Sequence, residues 1–343
     1  MGYVSRLDHA LLDFRLSLPE EWARDEPRRQ ACHVPPAVRY QTRPEQCLEM
    51  LDAWGNQVPH GWVTGDDELG RHTRLRHDLR ERGERYVLGM PCTTAIRDLA
   101  APLPAYAGRG RRPKAPWQSV TAWRQSLHLT AWRRLTVRDG EKGPVAIEMV
   151  IRRVQTRLER KRMGPEEWLV VTRRPLADDR TLEPKASPDA TDQDTRYRYQ
   201  YYLTPTAGSG VAFEEPSLGE LARVIKVGAC IEASFQRGKG EVGMDEYQVR
   251  TWPGWHHHMA LSLLAVWFLI TETHRGQSLT PALTLPQVRY GLSLLLLEVF
   301  YTPGVDSICR QVQRQLQRNE LARFYHHRTR KCIPPRKLRR EIQ

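Results

Sequence analysis

The stretch from Ser217 to Trp255 constrains the chain most, because it encodes a long helix whose faces differ in chemistry. Ser217 followed by Glu220 is a capping box, in which hydroxyl and carboxylate each satisfy a free amide at a helix start. Leu221, Val224, Ile225, Gly228, Ile231 and Phe235 then recur every three or four residues as one apolar stripe. Glu232 lies beside that stripe, and Gln236 and Lys239 come four and seven residues later, on the same face. Gly238 and Gly240 are expected to end the helix. A surface glutamate with helix-supporting neighbours has this pattern. So does a carboxylate at the edge of a core with a cation two turns on.

Upstream, the order of elements is that of an α/β half-domain. Ala10–Ser17 reads as a strand at a sheet margin before Pro19, Pro44–Trp54 as a short amphipathic helix, and His60–Gly65 as a strand with Asp66 at its tip. A basic helix at Leu75–Arg82 and a strand at Tyr86–Met90 come next. In such sheets ligands gather at the carboxyl ends of strands. From Cys92 to Pro216 the chain changes character. Gly108–Pro116 is a basic linker, Arg173–Thr195 a loop, and strands are expected at Ala131–Val137, Val145–Val150, Trp168–Thr172 and Tyr197–Leu203. After the long helix, Trp255–Thr273 and Val288–Tyr301 are apolar and helical, and from Arg310 the chain turns basic.

A net charge of +13 and a pI near 9.7 favour a polyanionic partner, most simply nucleic acid, although a ribosome or an anionic membrane surface would suit the same balance. Arg310, Arg314 and Arg318 lie four apart on one helix face; a solvated face or a phosphate-contacting one has that spacing. The six cysteines are scattered, which argues for reduced thiols and against a zinc site or disulfide framework. The N-terminal residues have no secretory pattern, and Met259–Ile270 is shorter than the ~20 residues of a membrane span, so it is expected to be a buried helix. Trp117, Trp123 and Trp132 among Arg124, Arg133 and Arg134 fit either core tryptophans or a surface that stacks on bases. The adjacent His256, His257 and His258 point around a helix and cannot all ligate one ion. No phosphate-binding Gly-rich loop or nucleophile elbow is present.

Ile231-Glu232, Phe235, Lys239-Gly240-Glu241, Gly243 to Tyr247, Arg250 and Trp252 to His258 resemble the Glu-bearing region of bacterial insertion-sequence transposases of the DDE class. Their signature runs Tyr, two residues, Arg, three residues, Glu, six residues, Lys. Glu232 and Lys239 match it, whereas Ile225 and Gly228 stand at the Tyr and Arg positions. Trp62 to Asp66, Gly70, Leu75-Arg76 and Tyr86 to Leu88 resemble the strand bearing the family's second Asp and the segment after that strand, with Leu69 replacing an aromatic residue. Trp168-Leu169, Arg173-Arg174, Arg318 to Arg323 and His326 to Lys331 extend the likeness over most of the chain.

The resemblance implies a ribonuclease H-like catalytic core, N-terminally truncated, interrupted by a β-rich insertion and continued by a helical C-terminal part. The implied division is core at 1–91, insertion at 92–216, core helices with the catalytic Glu at 217–275, and a basic helical region at 276–343. It implies Mg2+, with Mn2+ as an alternative, held by Asp66 and Glu232. Lys239, Arg250, Arg314, Arg318, Arg328, Arg330 and Lys331 would contact DNA. The implied partners are transposon ends and target DNA, and a second copy or full-length transposase. No membrane is expected, and the implied location is the bacterial cytoplasm and nucleoid. The family's first catalytic Asp has no counterpart, since only Asp8 and Asp13 lie near the start. The expectation is therefore a transposase incomplete as this chain alone, with a non-catalytic DNA-binding remnant or regulator as the rival reading.

Overall fold

The computed structural model describes residues 1–5, 8–106, 108–110, 112–140, 143–157, 163–175, 196–206, 215–301 and 305–331, in two units. The first comprises Met1–Tyr40, Asp139–Pro144 and Ala229–Gln343, and the second Gln41–Arg138 and Val145–Gly228. The architecture is α/β, with a mixed sheet and a helical C-terminal part.

The first unit opens on a hairpin of β1 (Gly2–Val4) and β2 (His9–Leu11), with Tyr3 opposite Ala10, and continues with α1 (Glu20–Arg24) and α2 (Glu26–Ala31). The strand expected over Ala10–Ser17 stops at Leu11. Beyond it the Asp13 carboxylate accepts from Phe14 N at 2.7 Å and Arg15 Nη1 at 2.7 Å, local bonds that replace a ladder.

The second unit runs α3 (Arg43–Trp54), β3 (Val63–Gly65), α4 (Asp67–Gly70), α5 (Thr73–Glu81), β4 (Tyr86–Gly89), β5 (Ala95–Asp98), β6 (Gln118–Ser119), α6 (Val120–Gln125), β7 (Arg133–Gly140), β8 (Gly143–Arg157), β9 (Met163–Pro175) and β10 (Tyr197–Pro205). These strands form one sheet in the order β3-β4-β10-β9-β8-β5-β6, with β7 on β8. β3 and β4 are parallel, while β10 pairs antiparallel with both β4 and β9. Alternation along β4 sends Tyr86 and Leu88 to one face, against Leu75 and Leu79 of α5, and Val87 to the other. There Val87 meets Leu221, Ala222 and Ile225 of α7 (Leu218–Val242). Helices thus cover both faces. The part of the Arg173–Thr195 loop after Pro175 lies outside the described residues; Arg173 to Pro175 belong to β9.

The α7 sequence departs from expectation in three ways. Ser217 Oγ accepts from Glu220 N at 3.1 Å, but the Glu220 carboxylate does not close the box. It accepts instead from Trp62 Nε1 and Arg85 Nη2, each at 2.9 Å, which fastens the helix start to the β3 and β4 edge. The stripe is buried at Leu221 and Ile225 but not at Gly228 or at Phe235, which is 43 % exposed; Ser234 and Gly238 are buried there instead. The helix also continues past Gly238 and Gly240. Gly238 is the seat for Met244, whose Cε would lie 2.9 Å from an added Cβ, and the chain turns at Gly243, with φ of 66°.

The first unit closes with α8 (Trp252–Gln277), α9 (Leu285–Tyr301) and α10 (Val305–Lys331). α8 is not buried all round: Leu263, Val266 and Leu269 are inside, whereas Leu261, Leu264 and Phe268 are exposed. Among the described residues no helix is long and apolar enough to cross a membrane.

The basic helix expected at Leu75–Arg82, α5, carries two buried arginines, Arg76 and Arg80. Glu167 of β9 is 0 % exposed, and its Oε1 lies 3.0 Å from both Arg76 Nε and Arg80 Nη2. Tyr86 Oη donates to the same oxygen at 2.6 Å, and Thr156 Oγ1 to Oε2 at 3.3 Å. Glu167→Ala leaves two buried cations without their counter-charge. The expected loss is roughly 3–5 kcal/mol of stability, read by urea unfolding. A second expectation concerns the entry to β3, where His60 bonds Val58 O at 2.9 Å and Glu84 Oε2 at 3.0 Å. Burial opposes protonation of His60, but these bonds and the Glu84 charge outweigh it and raise the pKa above 6.5. The pair's stabilisation is therefore complete below the unfolded value of 6.5 and fades as pH rises through the raised folded value. The Tm gap between wild type and His60→Gln should shrink between about pH 5.5 and pH 8.5.

Candidate functional site

Asp66 comes directly after β3. Gly65 belongs to the edge ladder with β4, and the next residue leaves the sheet as the N-cap of α4. Its Oδ1 accepts from Leu69 N at 3.1 Å and its carbonyl from Gly70 N at 3.0 Å. The side chain is exposed. Two glycines set this turn against the sheet. A Cβ on Gly70 would lie 1.7 Å from Gly89 O, and one on Gly89 would lie 2.8 Å from both the Asp66 carbonyl carbon and Asp67 N. No larger residue permits that approach of turn to strand.

Glu232, Gln236 and Lys239 share an exposed face of α7, as their spacing indicates. Among the described residues none of the three has a side-chain hydrogen bond or ion pair. Their neighbours fix the helix: Ile231 abuts Gly2 of β1, where an added Cβ would come within 2.3 Å of Cδ1, and Glu241 Oε2 accepts from Arg289 Nε at 2.7 Å. Arg250 is exposed ahead of α8. Arg314 and Arg318 are exposed on α10; the side chains of Arg328, Arg330 and Lys331, on the same helix, lie outside the described residues. Asp66 belongs to the second unit, and Glu232, Lys239, Arg250 and the α10 arginines to the first.

Several other candidates are structural. His256 bonds Trp252 O at 2.8 Å, and His258 Nε2 bonds Gly243 O at 3.1 Å, so the histidine run secures the α8 entry. Trp123 is buried and donates to Asp98 Oδ2 at 3.0 Å. Trp132 packs on Tyr199 and under the Arg173 guanidinium, and Trp117 under that of Arg97. These rings serve the fold. His77, Asp78 and Glu81 of α5 bring ligand atoms within 4.8 Å of one another, but Arg74 Nε already holds both Asp78 oxygens, at 2.9 and 3.0 Å. Asp66, in the second unit, and Glu232, in the first, each offer carboxylate oxygens to solvent, the donor type that magnesium takes beside water and phosphate oxygens.

Residues 1–144 match the family model of the DDE superfamily endonucleases. The matched segment contains Asp66 and ends before Glu232 and Lys239. Over that segment, 144 of 343 residues, the chain is similar to these endonucleases, and nucleases of that superfamily usually use divalent metal ions. No curated protein matches the chain.

The exposed side chains at Glu232, Lys239 and Arg250 bear no structural load. Glu232→Gln, Lys239→Ala and Arg250→Ala should each change unfolding free energy by less than about 0.5 kcal/mol in chemical denaturation.

Proposed function

We propose that this chain derives its activity from a bacterial insertion-sequence transposase, cutting DNA at transposon ends and joining the freed 3′-hydroxyl to a target. The observation that carries the proposal is Asp66: a solvent-facing carboxylate at the carboxyl end of a sheet strand, within the segment that matches the DDE endonuclease model. In this reading the core is ribonuclease H-like, spanning 1–91 and 217–275, with 92–216 inserted and 276–343 appended. Asp66 and Glu232 are the metal ligands, for Mg2+ or Mn2+. When bound, such ions activate the attacking oxygen and stabilise the leaving one. Lys239 offers an ammonium to a phosphate near the scissile bond. Arg250, Arg314, Arg318, Arg328, Arg330 and Lys331 neutralise DNA phosphates farther along, in the bacterial cytoplasm.

The rival reading, a DNA-binding regulator without chemistry, draws on the acids nearest the start. Asp13 is taken by Phe14 N and Arg15, and Asp8 by His9 N at 2.8 Å with His274 Nδ1 at 3.4 Å. Neither stands as a free third carboxylate.

The test is a cleavage and strand-transfer assay on transposon-end DNA with Mg2+. Asp66→Asn keeps the N-cap, since Asn caps as well as Asp, and Glu232→Gln keeps an exposed polar side chain. Each should lower the rate by more than the roughly 10–100-fold typical of a lost supporting partner of a metal ligand. Cleavage that survives Asp66→Asn would overturn the assignment. A wild-type chain that binds ends with steep salt dependence but does not cut them is the regulator. A flat salt response would remove both readings.

A further inference from the structure

We propose that Arg76 is a positioning residue for the Asp66 carboxylate, acting from inside the fold through the carbonyl of Gly70. This inference rests on Asp66 being a metal ligand. Arg76 is 3 % exposed and its guanidinium is committed in three directions. Nε faces Glu167 Oε1 at 3.0 Å, Nη2 faces Thr156 Oγ1 at 3.3 Å, and Nη1 donates to Gly70 O. Gly70 is the last residue of α4, the turn that Asp66 caps, and its carbonyl is one that no intrahelical amide can satisfy. The path is continuous. Glu167 on β9 fixes Arg76, Arg76 fixes Gly70 O, Gly70 N returns to Asp66 O at 3.0 Å, and Leu69 N fixes Asp66 Oδ1 at 3.1 Å.

The turn has no freedom to drift on the other side, because Gly70 and Asp66 already touch the Gly89 backbone. It is therefore clamped between the β4 backbone and one guanidinium. Only a planar fork can meet Glu167, Thr156 and Gly70 O at once; a lysine at this place keeps the charge opposite Glu167 but reaches along a single stem. The sequence around α5 reads as a basic helix, so the residue's role emerges only from its burial beneath the Asp66 turn.

The experiment compares Arg76→Lys, Thr156→Val and Tyr86→Phe with wild type in the full chain. The probe is Mn2+ alone, with binding read by electron paramagnetic resonance of the free ion. Amide exchange at Leu69 and Gly70 reports the turn, and Tm reports the fold. Arg76→Lys should weaken Mn2+ binding about 10–100-fold and speed exchange at Leu69 and Gly70. Thr156→Val, which removes the Nη2 partner and the long bond to Glu167, is the milder probe and should shift binding in the same direction. Tyr86→Phe removes a bond to Glu167 but leaves the Gly70 link, so it should lower Tm and leave Mn2+ binding unchanged. Equal Mn2+ affinity in Arg76→Lys and wild type, or equal losses in Arg76→Lys and Tyr86→Phe, would overturn the proposal. If Arg76→Lys does not fold, unchanged affinity and exchange in Thr156→Val would overturn it. Asp66→Asn separates the two levels: Mn2+ binding that is indifferent to it defeats the metal-ligand reading itself, whatever Arg76 does.

Discussion

A carboxylate with no exposed surface has to find its compensation where it lies, and Glu167 finds it from three elements at once. Arg76 and Arg80 come from α5, Tyr86 from β4 and Thr156 from β8. An isolated buried charge would cost several kcal/mol, so this cluster has to be assembled for the sheet to form. It also pins register. Glu167 faces the α5 side of β9, and a slip of one residue would turn it toward the α7 side, where Val170, Leu221 and Ile225 pack. Burial and the Glu167 charge push the Tyr86 phenol well above its ordinary range, so the hydroxyl remains a donor at every pH the protein meets.

A second, half-exposed carboxylate secures the opposite face. Glu220 joins the start of α7 to Trp62 before β3 and Arg85 before β4, and Arg85 also stacks 3.9 Å over the Trp62 ring. The parallel β3–β4 pair is thus held from one side by α5 and from the other by α7, with Gly65 and Asp66 at its open end. Among the described residues the short edge strand β3 pairs with β4 alone. Its order comes from these flanking attachments more than from its own ladder.

Much of this was legible from periodicity. The helix at Pro44–Trp54, the strand ending at Gly65, the strand at Tyr86, the four strands between Ala131 and Leu203 and the long helix after Ser217 all stand where their patterns lie. Local pattern also placed Glu232, Gln236 and Lys239 on one face, and the structure exposes it. What it did not yield depends on partners far away in sequence. The pattern at Leu75–Arg82 gives a basic helix but not the burial of Arg76 and Arg80, because Glu167 is some ninety positions on. Glu220 read as half of a capping box because its true partners, Trp62 and Arg85, come from the other end of the unit. Gly238 read as a helix terminator because glycine's two uses, ending a helix and admitting a close neighbour, leave the same letter; Met244 decides it.

The acids of this chain separate by what they already bind. Glu167, Glu220 and Asp98 accept from buried or half-buried arginines and tryptophans, and they hold strands and helices together. Carboxylates engaged in that way have few lone pairs left, and withdrawing them from their partners would unfold what they join. Glu232 stands on solvent with no partner among the described residues, and Asp66 gives one oxygen to a single amide. An acid that joins no two elements of the fold keeps lone pairs available to a ligand. At Asp66 the backbone is nevertheless tightly fixed by Gly70, Gly89 and Arg76. A rigid turn beneath a lightly engaged carboxylate is the combination that ion binding requires, since the ordering cost is met before the ion arrives. Asp66 thus pairs a committed backbone with a carboxylate that has one oxygen on the Leu69 amide, in contrast to Glu167 and Asp98, whose oxygens hold elements of the sheet together.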